Sequence, residues 1–260
     1  MTEYDALADL YDAEWQELTT DIPFLAETAR QYGGPALDLA AGTGRVTFPI
    51  AETGLEVVAM DNSASMLQRG EEALAGQDAA IRERVTFMTG DMARFQIGRQ
   101  FRFICISQNS FLLLADRKDQ EQCLRCIYDH LDPEGRFVVD IYSPRFDLIG
   151  QKENDIQFLR HFFLPEQQAV VMQWEYAVRN MAAQTMDIDF LYEVYDKQGQ
   201  LTRRTHQLHM AIVFRYEMQY LLEKHGFVVE TVYGDYDKTI FGPDSPQMIF
   251  LCKKGTSRVS

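Results

Sequence analysis

Acidic residues and closely spaced glycines recur where short apolar runs of the sequence end. Asp38 lies four residues before Gly42, and Gly42 and Gly44 form a G-x-G turn directly after the first run. Asp61 ends the second run. Glycine lets the backbone turn tightly and approach a ligand, and the N–H groups of the following helix point at that ligand. The carboxylates favour a ligand that carries an ammonium group and a ribose diol over one that carries a pyrophosphate.

Two further polar segments follow later apolar runs. Gly90-Asp91-Met92 offers a carboxylate and a backbone amide to the edge of an adenine ring. Residues 107–111 form a polar patch of sequence Ser-Gln-Asn-Ser-Phe after the fourth run. Taken together, these segments predict a ligand with an ammonium group, a diol and an adenine, and without a phosphate.

The elements that must position these segments are strands alternating with helices. A helical spacing of apolar residues opens the chain over 4–32. Short apolar runs then predict strands at 36–40, 55–60, 84–88, 101–106 and 136–142, and helices at 45–53, 65–75 and 118–131. We therefore predict an α/β fold with a Rossmann-like, doubly wound, mostly parallel sheet, in which a ligand binds at the carboxyl ends of the strands.

The alternation of strands and helices stops after Pro144. Strand patterns without intervening helices occupy 158–164, 169–178, 185–195 and 201–214, and a helix at 217–225 then precedes strands at 227–233 and 248–253. The first group predicts an inserted antiparallel β-sheet cap. The domain prediction is therefore one α/β domain made of residues 1–150 and 215–260, with residues 151–214 as a cap over the substrate site.

The segment 38–44, Asp-Leu-Ala-Ala-Gly-Thr-Gly, matches an E/D-x-x-x-G-x-G motif. Together with Asp61 and Asp91 it resembles the class I S-adenosylmethionine-dependent methyltransferases over the first 142 residues. The resemblance implies S-adenosylmethionine as cofactor, S-adenosylhomocysteine as product and no metal. The cofactor-binding residues that it implies are Tyr11, Asp38, Ala40, Gly42, Gly44, Asp61, Asn62, Met66, Gly90, Asp91, Met92 and Ser107.

The resemblance also assigns parts of the cofactor to these residues. Gly42, Gly44 and the Ala40 carbonyl would hold the methionine moiety, and Asp61 the ribose. Asn62, Met66, Asp91 and Met92 would bound the adenine, and Ser107 would hold the ligand from the fourth strand. Tyr11 resembles a lid tyrosine of small-molecule members of the family.

The expected class of methyl acceptor follows from a narrower resemblance. Asn109-Ser110-Phe111 and the turn at 132–135 look like glycine N-methyltransferase and its relatives. The inserted strands look like those of small-molecule N- and O-methyltransferases, including enzymes that act on amino sugars. The expected partner is a small-molecule methyl acceptor, with an amine and a hydroxyl both left open. The oligomeric state is also open, with a homodimer as one option.

The sulfonium of S-adenosylmethionine is already a good leaving group for its methyl group. The protein therefore mainly needs residues that align the two reactants. A histidine could remove the acceptor's proton. His206 and His209 are the catalytic candidates, and because they lie three apart on one strand at most one can face a cleft. Asn109, Tyr142 and Arg203 are the candidate acceptor contacts.

Composition excludes several other classes of protein. The formal charge is −14, from 25 basic and 39 acidic residues, whereas a nucleic-acid surface needs clustered basic residues. No apolar run of about 18 residues predicts a membrane span. The acidic first residues lack the features of a secretory signal. We expect a cytoplasmic protein that binds neither nucleic acid nor membrane.

Two alternatives remain at the level of sequence. An NAD-dependent oxidoreductase would share the sheet, but Thr47 stands where the third glycine of a dinucleotide fingerprint belongs. Asp38 would also repel a pyrophosphate. The second alternative is a non-catalytic protein that binds S-adenosylmethionine or S-adenosylhomocysteine.

Overall fold

The structure is a computed structural model that describes residues 7–16, 18–144 and 155–255. Its helices are α1 (Ala8–Trp15), α2 (Asp21–Tyr32), α3 (Thr47–Glu52), α4 (Ala64–Ala75), α5 (Ala79–Arg82), α6 (Arg117–His130) and α7 (Arg215–Lys224). Its strands are β1 (Ala36–Leu39), β2 (Val57–Asp61), β3 (Val85–Thr89), β4 (Phe101–Ile106), β5 (Leu131–Tyr142), β6 (Gln157–Leu164), β7 (Ala169–Asn180), β8 (Thr185–Tyr195), β9 (Leu201–Ala211), β10 (Phe227–Tyr233) and β11 (Gln247–Lys254).

A seven-stranded sheet carries the predicted α/β fold. Its order is β10-β11-β5-β4-β1-β2-β3, in which β1 to β5 are parallel and β11 runs antiparallel to both of its neighbours, β5 and β10. The order reverses at β1, between β4 and β2. In such sheets a ligand binds at the carboxyl edge near the point of reversal. The mostly parallel, Rossmann-like sheet predicted from the sequence is confirmed.

Both faces of this sheet are buried, which explains why its central strands are continuous apolar runs. Along β4, Phe103 and Cys105 join one core cluster, whereas Ile104 and Ile106 join the other. This alternation follows from the two-residue period of a strand. The sheet is therefore a rigid base for the loops at its carboxyl edge.

The second sheet is four-stranded and antiparallel, in the order β6-β7-β8-β9. Part of it packs on α1 through a cluster that includes Leu10, Val171 and Tyr192. Another part, which includes Leu208 and Met210, joins the core of the large sheet. The antiparallel insertion predicted from the sequence therefore exists and contacts both the N-terminal helix and the large sheet.

Among the differences from the sequence prediction, three concern the opening helix, the end of β9 and the start of β5. The opening helical spacing corresponds to two helices, α1 and α2, and β9 ends at Ala211, three residues before the predicted end. β5 begins at Leu131 because the turn residues 132–135 form a bulge within the strand. Leu131 pairs with Phe101 while Arg136 pairs with Phe103. The pairing of β5 with β4 therefore continues on both sides of the turn with a shift in register.

The close approach of α4 to β3 gives a first prediction. A Cβ on Gly70 would lie 2.7 Å from the Phe87 ring and 3.2 Å from the Thr43 carbonyl oxygen. We expect Gly70→Ala to lower the free energy of unfolding by about 1–3 kcal/mol, the usual effect of overpacking. Urea unfolding measures it.

The matched control is Gly76→Ala, at the end of the same helix. Gly76 has φ −82° and its Cβ would be 3.5 Å from the Ala73 carbonyl. This substitution should be neutral or stabilising by about 0.4–1 kcal/mol. Equal unfolding energies for the two variants would contradict the packing described.

Candidate functional site

A cavity of about 360 Å³ opens at the carboxyl edge of β1, β2, β3 and β4. α1 closes it from the opposite side. The residues lining it are Tyr11, Trp15, Ala40, Gly42, Asp61, Asn62, Met66, Gly90, Asp91, Met92, Gln108, Ser110, Leu113 and Leu114. The cavity therefore gathers segments from four strand ends that are far apart in sequence.

The loop after β1 is fixed by the carboxylate that ends β2. Gly42 has φ +57° and its N–H donates to Asp61 Oδ2 at 2.8 Å. The N–H of Ser63 donates to Asp61 Oδ1 at 2.8 Å. Asp61 is only 8% exposed and lines the cavity. One side chain thus sets the shape of two loops and faces the space between them.

Glycine is needed at two positions around the cavity because a side chain would fill it or collide. A Cβ on Gly42 would lie 3.1 Å from Met66 Cε, and one on Gly90 would lie 2.6 Å from Met60 Sδ. Met66 follows Ser63, whose hydroxyl caps α4 by accepting the Met66 N–H at 3.2 Å. Gly42 and Gly90 therefore keep side-chain bulk away from this part of the cavity wall, which also includes the apolar side chain of Met66.

Tyr11 and Trp15 cover the cavity from α1. Burial raises the pKa of Tyr11 to about 12, so its hydroxyl stays protonated at neutral pH. α1 is held over the glycine loop because the Thr43 hydroxyl donates to Asp12 at 2.6 Å and Arg69 pairs with Asp12 at 3.2 Å. Tyr11 is therefore held at the cavity by the contacts that α1 makes with the glycine loop and α4.

The charge of the cavity wall is acidic. Asp61 and Asp91 are the charged side chains among the lining residues that the structure describes, and Lys, Arg and His do not occur among them. A pyrophosphate is bound through cations and convergent N–H groups. This wall suits a ligand that carries positive charge.

Three of the predicted cofactor residues lie outside this set of lining residues, namely Asp38, Gly44 and Ser107. Asp38 is 1% exposed and accepts the Thr47 hydroxyl at 2.7 Å. Burial raises its pKa to about 6, while the bonds from Thr47 and Cys105 act in the opposite direction. Ser107 is also buried. Gly44, at φ +90°, is packed against the Phe48 and Phe87 rings.

Five residues line the cavity although their sequence pattern did not predict them as site residues. They are Gln108, Ser110, Trp15, Leu113 and Leu114. The first two belong to the polar patch recognised after β4. The two leucines follow it at the end of a 3-10 helix, Ser110–Leu113. Their place on this wall depends on how the turn after β4 is folded.

Asn109 and Tyr142, two predicted acceptor contacts, are neighbours. The Tyr142 N–H donates to Asn109 Oδ1 at 2.5 Å, which ties the end of β5 to the turn after β4. Burial raises the pKa of Tyr142 to about 12. Beyond them, Ser143 borders a second and larger cavity of about 750 Å³. Its other lining residues are Pro144, Phe214, Arg215, Tyr216, Phe241, Gly242, Pro243, Asp244 and Met248.

The remaining candidates lie on β9. His206 is 6% exposed and its ring lies nearly parallel to Phe190, with the centroids 6.2 Å apart. His209 is exposed and its Nδ1 lies 2.6 Å from Asp187 Oδ1. Arg203 is exposed and pairs with Glu193 at 2.9 Å. These three residues do not line either of the two cavities in the described part of the chain.

In residues 7–16, 18–144 and 155–255, we find no cluster of three His, Cys, Asp or Glu side chains suited to a metal ion. No helix of the described chain has the length and apolar character needed to cross a membrane.

Comparisons with known proteins point to one class of enzyme. Residues 36–135 match the family model described as a methyltransferase domain. The chain is 26% identical over 255 residues to the glycine/sarcosine N-methyltransferase of Aphanothece halophytica, covering 93% of this chain and 87% of the relative. Among solved structures, the CcbJ methyltransferase of Streptomyces caelestis superposes with a TM-score of 0.81 at 22% identity, covering 98% and 99% of the two chains.

A second solved structure extends the likeness in fold. The sugar N-methyltransferase KedS8 of Streptoalloteichus has a TM-score of 0.69 at 17% identity, covering 94% of this chain and 92% of that one. The matched domain lies in the sheet that carries the acidic cavity. Residues 36–135 form a methyltransferase domain on a Rossmann-like sheet, and the relatives that match nearly the whole chain support an S-adenosylmethionine-dependent methyltransferase.

Proposed function

We propose that this enzyme transfers the methyl group of S-adenosylmethionine to an amine of a small metabolite. The acidic cavity wall, in which the described residues include two carboxylates and no cationic side chain, carries this proposal. S-adenosylmethionine supplies a positively charged sulfonium and an ammonium group. The same wall disfavours the pyrophosphate of NAD, and thus the oxidoreductase alternative.

The cofactor residues divide by position along the cavity. We assign Asp61 to the ribose hydroxyls, because its carboxylate lies at the end of β2 and faces the cavity. The adenine is assigned to the part of the cavity beside Gly90, where the lining residues are Asn62, Met66, Asp91 and Met92. The Gly42 loop and Tyr11 enclose the methionine end. Asp38 acts through Thr47 and the loop rather than by contact, since it lies behind the cavity wall.

The acceptor side of the site is assigned to the space over Asn109 and Tyr142. Asn109 lies between Gln108 and Ser110 of the cofactor cavity, and Tyr142, which is bonded to it, precedes Ser143 of the larger cavity. An acceptor in the larger cavity could place one atom next to the cofactor, as in-line displacement requires. We propose that the antiparallel sheet, within residues 151–214, caps this region. Of the two histidines, His206 is the better candidate for an interior role because it is buried.

The choice of an amine rests on relatives. The Aphanothece relative is a glycine/sarcosine N-methyltransferase, and KedS8 is a sugar N-methyltransferase. An ammonium group that has lost one proton to water is a neutral amine, which can attack the methyl group directly. A hydroxyl is a weaker nucleophile and needs a base to take its proton during the transfer. The described walls of the two cavities contain no histidine to supply one.

Matched acceptor pairs test this proposal. Glycine would be compared with glycolate, and an amino sugar with its parent sugar, while S-adenosylhomocysteine formation is measured. We expect turnover with at least one amine and none with its hydroxyl partner. Turnover confined to the hydroxyl compounds would overturn the amine assignment. Tight cofactor binding without turnover on either member of each pair would favour the non-catalytic alternative.

A further inference from the structure

A buried polar cluster lies beneath the turn after β4. Its members are Asp21, Arg45, Gln108, Asp140 and Tyr236. Arg45 donates to both oxygens of Asp21, at 2.9 and 2.5 Å, and Gln108 Nε2 donates to Asp21 Oδ2 at 3.0 Å. Asp21 is fully buried and Asp140 is 1% exposed. The cluster therefore places two buried carboxyl groups against one guanidinium.

The turn above this cluster has an uncommon backbone. Ser110 N–H donates to the Ser107 carbonyl at 3.1 Å, and the two residues between them have φ +56° (Gln108) and φ +62° (Asn109). This is the geometry of a type I′ turn, which favours glycine. Side chains other than glycine keep such dihedrals only where the surroundings hold them.

Asp140 is the group that holds the turn from below. Its Oδ1 accepts the Asn109 N–H at 3.3 Å, and the Gln108 N–H also faces the carboxylate. Hydrogen bonds to an ionised acceptor are stronger than those to a neutral one. Gln108 and Ser110 of this turn line the cofactor cavity, and Gln108 also reaches Asp21 beneath the turn through its Nε2.

We propose that Asp140 is a positioning residue of the transfer site, whose carboxylate fixes the 107–110 turn so that Gln108 and Ser110 form the β4 wall of the cofactor cavity. The assignment of that cavity to the cofactor rests on the proposed function. Asp140 itself is buried below the turn and touches neither reactant.

The environment of Asp140 makes its ionised form costly. Burial raises its pKa to about 7, and the charge of Asp21 adds to this rise. The N–H groups of Asn109 and Gln108, and the charge of Arg45, act in the opposite direction. The Tyr236 hydroxyl and the Cys105 thiol also face it, and the pKa of each is raised by burial, with Asp140 contributing.

The raised pKa fixes the sign of the stability effect. The folded protein binds the Asp140 proton more tightly than the unfolded chain does. The contribution of Asp140 to the free energy of unfolding is therefore fully present below about pH 4 and is lost as the pH rises through about 7. Asparagine could accept the same N–H without this cost. A carboxylate kept only for stability is therefore unexpected here, which favours a role in the site.

Asp140→Asn tests the proposal, with Asp78→Asn on the exposed end of α5 as the matched control. Thermal unfolding would be followed from pH 5 to pH 8 without ligand. We expect D140N to unfold at a higher temperature than the wild type at pH 8, with the difference shrinking towards pH 5. D78N should follow the wild type. A D140N protein less stable than the wild type at pH 8 would overturn the proposal.

The second readout is the turn itself. Amide hydrogen exchange of residues 107–112 should be at least about tenfold faster in D140N at pH 8, because a neutral acceptor holds the N–H groups more weakly. S-adenosylhomocysteine should bind more weakly to D140N even though the fold is more stable. Unchanged exchange would overturn the proposal. Unfolding and exchange need no ligand, so failure of the wild type to bind S-adenosylhomocysteine would count against the proposed function alone.

Discussion

Asp61→Ala should lower the affinity for S-adenosylhomocysteine by at least about hundredfold, from the micromolar range near −8 kcal/mol. The substitution removes the acceptor of the Gly42 and Ser63 N–H groups. It also removes the carboxylate that we assign to the ribose. Because both the loop shape and a direct contact are lost, this is the largest binding effect that we expect from one side chain. Titration calorimetry measures it.

Asp78→Ala is the matched control for this prediction. Asp78 is an exposed carboxylate that precedes α5. Its replacement should leave the dissociation constant unchanged. Retention of wild-type affinity by D61A would show that the cofactor does not occupy the cavity between β1 and β2. Equal losses in both variants would indicate a general effect of charge.

Arg45→Met is expected to have the largest effect on stability. Arg45 makes the bidentate ion pair with Asp21, and the Asp21 side chain has no exposed surface. Removal of one partner leaves a buried charge, which costs about 3–5 kcal/mol. Methionine keeps the apolar part of the arginine side chain. The decrease in the free energy of unfolding therefore reflects the lost charge more than lost packing. Urea unfolding at pH 7.5 measures the change.

Arg30→Met provides the control for an exposed pair. Arg30 and Glu27 form a bidentate ion pair on the surface of α2, at 2.8 Å. Water screens such pairs, so we expect little measurable change. If the free energy of unfolding of R45M fell as little as that of R30M, the Asp21 charge would have to be compensated by other groups.

The sequence is sufficient to predict that polar residues from several strand ends meet around one cavity. The carboxyl ends of parallel strands lie at one edge of a sheet, so Gly42, Asp61 and Asp91 had to meet once the strands were recognised. The structure brings them around one cavity. Their spacing was readable because each strand is a short, fully apolar run with a polar residue at its end.

Other features depend on tertiary structure and were not accessible. The contact between Asp21 and Arg45 joins a helix to a loop, and each residue alone is typical of a solvated surface. The type I′ turn moves Gln108 to the cavity wall and leaves Ser107 buried beneath it. In β5 the Asp-Pro-Glu-Gly segment indicates a turn, but the β4 ladder accommodates it as a bulge.

The most direct test of the central claim is a crystal structure of the protein with S-adenosylhomocysteine. We predict that the ribose hydroxyls lie within hydrogen-bond distance of Asp61 and that the adenine lies beside Met66 and Gly90. The sulfur should point towards Asn109 and Tyr142. A ligand found outside the cavity formed by the ends of β1 to β4 would contradict the account.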